Sequence, residues 1–197
     1  MEEVLGDEFD GVLSSDFYAS YNTYAGFHQR CWVHYLRDIH TLTEEYPKDK
    51  KLHHWARAIH TLYEKAKVYP GPGAALPEGT KIQERMTKQR EFENRLRALC
   101  APWIKTIAPM STLAARAIIF LQELFVFVRF PGIPADNNPA ERVLRHLVIS
   151  RKISGGTRSP RGSQTKAILS SLFGTWRLQN KNPFQECQLL LAGVSGV

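Results

Sequence analysis

The sequence predicts an α+β fold that is mostly helical, with short strands near residues 11–15 and 27–31 and helices over most of the remaining chain. Three observations lead there. Gly11-Val12-Leu13-Ser14-Ser15 is a short run with apolar members that stops at Asp16. From Trp32 onward, apolar residues recur at spacings of three and four. Asn138-Pro139 then marks a new helix start, because proline presets φ for a first helical position and asparagine before it can cap free amides.

Taken in order, residues 11–15 predict a strand that delivers Asp16 to its end, and Tyr18, Tyr21 and Tyr24 predict a short aromatic helix after it. Asp16 reads equally as a strand-ending residue that caps the next turn. A second strand is expected through residues 27–31. Tyr35, Leu36, Ile39, Leu42 and Tyr46 then mark one face of a helix that stops at Pro47. Leu52, Trp55, Ala56, Ile59, Leu62, Tyr63 and Ala66 mark the next, which ends before the Pro/Gly loop at 69–73. A charged helix is expected over 81–99 with Ile82, Met86, Phe92, Leu96 and Leu99 inward, and a single helix over 111–128. Residues 150–163, with Gly155, Gly156, Ser159, Pro160 and Gly162, predict a loop or short hairpin. Helices over 164–178 and 184–191 close the chain.

Composition bounds the class. With 197 residues and 43% apolar content the chain can bury a real core. Three widely spaced cysteines, Cys31, Cys100 and Cys187, predict thiols in a reducing, cytoplasmic compartment instead of a disulfide framework. The first ten residues carry no basic stretch followed by an apolar core, so no signal peptide is expected. Arg116, Gln122, Glu123 and Arg129 interrupt the most apolar stretch, which predicts a buried helix and no membrane partner.

The charge is localised. Arg142, Arg145, Arg151, Lys152, Arg158, Arg161, Lys166, Arg177 and Lys181 fall in a segment, 142–185, that holds no Asp or Glu. The chain as a whole is +7, so everything outside that segment nets −2. Such a concentration favours a polyanion partner, and glycines beside cations let a backbone come close to phosphates. Glu141 stands at a defined point in the first turn of the preceding helix. It also completes a capping box with Asn138, in which it has no chemical task. Cys31 and His34 share one helical turn, but a structural zinc site takes four ligands and no second pair with ligand spacing is present, so a buried Cys beside a hydrogen-bonded His is expected.

Ser15-Asp16-Phe17-Tyr18-Ala19-Ser20-Tyr21-Asn22, His28-Gln29-Arg30-Cys31-Trp32-Val33-His34, Asp136-Asn137-Asn138 with Glu141-Arg142 and Arg145, and Arg151-Lys152-Ile153-Ser154-Gly155-Gly156 together resemble the bacterial insertion-sequence transposases of the IS sixty-six family. The resemblance spans essentially the whole chain. It implies a DDE transposase with an RNase H-like core interrupted by a helical insertion. The corresponding division is 1–31 as the second half of the sheet, 32–130 as the insertion, and 131–197 as core helices with Glu141 and the basic loop. Asp16 matches the second catalytic carboxylate and Glu141 the third, both as ligands of Mg²⁺ or Mn²⁺ in a two-ion site. Cys31 and His34 match a structural signature. Arg142, Arg145, Arg151, Lys152, Arg158 and Arg161 are the expected phosphate contacts on charge and loop context. DNA, as element ends and target, is the implied partner, with self-association or association with full-length transposase.

The resemblance also places the first catalytic Asp on an opening strand upstream of Asp16, and Asp7 and Asp10 match the approach to the second strand instead. The chain is therefore expected to be the carboxy-terminal portion of a transposase, inactive alone, with an unpaired edge on residues 11–15. A non-catalytic DNA-binding or regulatory product is the alternative.

Overall fold

A computed structural model describes residues 9–69 and 80–193; Asp7 and the Pro/Gly loop beyond Tyr69 lie outside them. The described chain is mostly helical with one small two-stranded parallel sheet, and it divides into two units, 1–137 and 138–197.

In the first unit β1 (Leu13–Ser15) pairs in parallel with β2 (His28–Arg30), Leu13 opposite His28 and Ser15 opposite Arg30. Parallel partners cannot be joined by a tight turn. Residues 16–27 supply the crossover, with a 3-10 turn at Ala19–Thr23, and the Tyr24 hydroxyl donates to the Gly11 carbonyl at 2.7 Å to tie it back. Among the described residues β2 is the one strand beside β1. All three residues of β2 are buried although all are polar, so each side chain must find partners inside the protein.

Three helices come next: α1 (Trp32–Glu45), α2 (Lys50–Lys67) and α3 (Thr80–Cys100). In α1, Trp32, Tyr35 and Ile39 are buried; Tyr46, expected on the same face, is the exposed residue that ends the helix. Helix α2 starts where Asp49 Oδ1 accepts from the amides of Lys51 (2.9 Å) and Leu52 (3.0 Å), and it buries Leu52, Trp55, Ile59, Leu62, Tyr63 and Ala66, the predicted stripe. Helix α3 departs from expectation. Ile82 is 58% exposed, and the inward face runs through Arg85, Phe92, Leu96 and Cys100. Arg85 can sit there because its Nη1 donates to the Val128 carbonyl at 3.0 Å. Aromatic rings fill the centre, with Trp32 5.1 Å from Tyr63 and 5.3 Å from Phe125 between centroids.

The helix expected over 111–128 is instead two, α4 (Ser111–Ile119) and the short α5 (Val126–Arg129), with turns between. Strand β2 is the cause. The Glu123 carbonyl accepts from the Arg30 amide at 2.8 Å, the Leu124 carbonyl accepts from the Trp32 indole, and Gln29 Oε1 accepts from the Phe127 amide at 2.8 Å. Groups that a continuous helix would use internally are used by the sheet and α1. Leu124 through Val128 are buried without a gap, which an ordinary helix, with one apolar face, does not allow over five residues.

The second unit holds α6 (Asn138–Ser154), α7 (Pro160–Leu178) and α8 (Pro183–Leu191). The predicted loop over 150–163 shrinks to residues 155–159. Gly155 and Gly156 take positive φ, +66° and +93°, in that short link. Ser159-Pro160, a loop signal in the sequence, is a helix start: Ser159 Oγ accepts from the Gly162 amide at 3.1 Å and proline occupies the first helical position. Between α6 and α7 lies a mainly apolar groove of about 600 Å³, with Val143, Leu147, Ala167 and Leu178 among its walls and Arg151 and Lys166 along it.

Candidate functional site

Asp16 stands immediately after β1, half-buried, with Oδ1 accepting from the Tyr18 amide at 2.9 Å. That bond is the local turn its sequence position allows, and it orients the carboxylate. Its carbonyl is held from below. Arg30 Nη1 donates to it at 2.8 Å, and Ser15 Oγ lies 2.8 Å from it.

The support continues inward. Ser15 Oγ is 2.7 Å from His28 Nε2, and His28 Nδ1 is 3.2 Å from Glu123 Oε2, the same oxygen that accepts from Arg30 Nε at 2.6 Å. Burial and the neighbouring Arg30 guanidinium push the His28 pKa down to about 4, so the ring is neutral near pH 7 despite the carboxylate beside it. A neutral ring has one N–H and Ser15 one hydroxyl proton, which it donates to the Asp16 carbonyl, so the ring's two contacts, to Ser15 Oγ and to Glu123, share a single N–H. The sequence by itself assigns no functional role to Ser15, Asn22, His28, Arg30 or Glu123. The available signal was Glu123, a carboxylate in an apolar stretch, which needs a buried partner.

Glu141 is exposed in the first turn of α6, in the second unit, where the positive end of the helix favours a carboxylate. Of the six cations expected at phosphates, Arg142, Arg145, Arg151 and Lys152 lie on α6, Arg158 in the link and Arg161 in the first turn of α7; all are exposed. The structure thus moves Arg151 and Lys152 from a loop to a helix end, where cations complement the carbonyl terminus. Cys31 is buried, and its Sγ accepts from the Asn137 amide at 3.2 Å. His34 is half-buried one turn into α1. Nearby, burial and the charge of Asp136 push the Tyr63 hydroxyl up to about 12. Among the described residues no group of three or more His, Cys, Asp or Glu could hold a metal ion.

The sequence model of the family described as Transposase IS66 family matches residues 1–165. The chain belongs to the IS66 transposase family. Neither a search of curated proteins nor one of solved structures returns a match. The IS66 match takes in both strands, the whole of α1 to α6 and the first residues of α7, and so includes Asp16, Cys31, His34, Glu141 and the six cations. No helix among the described residues is long and apolar enough to cross a membrane.

Proposed function

We propose that this IS66-family chain serves DNA transposition, phosphodiester cleavage and strand transfer, as part of an RNase H-like DDE core. In this reading residues 1–31 belong to the core sheet, 32–130 are inserted, and 131–197 return to the core. The observation that carries it is the family match across residues 1–165, within which Asp16 directly follows a strand paired in parallel with β2. Asp16 and Glu141 are the residues that would hold Mg²⁺ or Mn²⁺. Two carboxylates are suitable hard donors, and such ions are ordinarily held by few carboxylates together with substrate phosphate oxygens. When bound, the metal activates the attacking oxygen and stabilises the leaving one. The chain's own contribution is to fix the Asp16 carboxylate through the Tyr18 amide, to present Glu141 from a helix start, and to hold the DNA backbone with Arg142, Arg145, Arg151, Lys152, Arg158 and Arg161. Partners in this reading are element ends, target DNA and further transposase subunits.

A second reading, a DNA-binding regulatory product that does not cut, is favoured by one observation: the concentration of nine Lys and Arg in residues 142–185, which can hold a polyanion without a metal. Plasmid DNA carrying the element ends distinguishes them. Mg²⁺-dependent nicking that Asp16→Asn and Glu141→Gln each remove without loss of DNA binding would support the first reading and overturn the expectation that the chain is inactive alone. Binding with no nicking and no metal requirement supports the second. In both, affinity falls steeply with salt, and Arg151→Ala with Lys152→Ala lowers the salt slope by about 1 for each phosphate no longer neutralised. An affinity insensitive to salt and to these substitutions would refute both.

A further inference from the structure

We infer that Arg30, neutralised by Glu123, is the positioning residue for Asp16. The inference rests on the proposed metal role of Asp16 and adds what holds that carboxylate in place.

Arg30 is fully buried, and a buried guanidinium is costly unless it is paired and hydrogen-bonded. Here its fork is distributed over three partners: Nε to Glu123 Oε2 at 2.6 Å, Nη1 to the Asp16 carbonyl at 2.8 Å and Nη2 to Asn22 Oδ1 at 2.5 Å. The guanidinium carbon also lies 4.6 Å from the centre of the Phe120 ring. The guanidinium thereby joins four separate places: the turn after β1, the crossover, the α4–α5 link and the end of α4. The same carbonyl also accepts from Ser15 Oγ at 2.8 Å.

For Asp16 the effect is twofold. Its peptide cannot rotate without breaking a charge-assisted bond in a low-dielectric interior, so the carboxylate direction is preset. Arg30 also pairs its charge with Glu123 and meets Asp16 at the carbonyl, which anchors the residue without using its carboxylate. A lysine cannot reproduce this, because it has no planar fork to span three acceptors.

The test is Mn²⁺ binding by the full chain, read by electron paramagnetic resonance, beside circular dichroism and thermal melting. Asp16→Asn removes the bound-ion signal. Arg30→Lys weakens Mn²⁺ affinity by roughly tenfold or more, the range seen when support behind a metal ligand is removed. Asn22→Ala, at an exposed position, withdraws one anchor and leaves the charge pair; it weakens binding severalfold at an unchanged melting temperature. If Arg30→Lys does not fold, Asn22→Ala decides. Wild-type Mn²⁺ affinity in the folded Arg30 and Asn22 variants, with loss in Asp16→Asn, would overturn the positioning role alone. Wild-type affinity in Asp16→Asn would overturn the metal role on which it rests.

Discussion

At the scale of single residues, His28 has the clearest solution consequence. Its ring is buried between Ser15, Glu123 and Arg30, with the rings of Tyr21 and Tyr24 edge-on, and its pKa is pushed from 6.5 to about 4. The unfolded chain therefore takes up a proton that the folded chain refuses. The contribution is complete above about pH 6.5 and is lost as pH falls through about 4; roughly 2 kcal/mol disappears between pH 7 and pH 4.5. Urea midpoints at the two pH values should show that loss in the wild type and a smaller one in His28→Gln. Equal losses would contradict the assignment. The places of Asp16, just after β1, and of Glu141, in the first turn of α6, were legible in the sequence because signals for the end of a strand and the start of a helix stand beside them. The Arg30–Glu123 pair was not, since its members are 93 positions apart and only the fold brings them together.

At the scale of elements, the apolar stripe of α2 was legible and context was not. Asp49 precedes the apolar stripe of α2 and holds two of its first amides, so Asp49→Ala should cost about 1 kcal/mol with no change in the fold, measured by chemical denaturation. An undiminished stability would show that the cap carries nothing. The Leu124–Val128 run misled because an uninterrupted apolar stretch has no period of its own; β2 decides that it breaks. Residues 150–154 misled in the opposite direction. Glycines at 155 and 156 suggested a loop on both sides, whereas they only end α6.

At the scale of the whole molecule, charge separates cleanly between the two units. The second, residues 138–197, contains nine Lys and Arg against Glu141 and Glu186, which equals the +7 of the entire chain. The first is neutral overall and contains the packed aromatic core and the sheet that ends in Asp16. Composition alone made the basic segment 142–185 visible, because charge depends on no particular fold. A basic helical unit for the DNA backbone and a packed unit that presents Asp16 are what the proposed transposase requires. The most direct measurement is transposition of a marked insertion sequence encoding this chain, with protein level and DNA binding followed in parallel. Asp16→Asn and Glu141→Gln are each expected to abolish transposition while leaving both controls intact; wild-type frequencies in both variants would contradict the account.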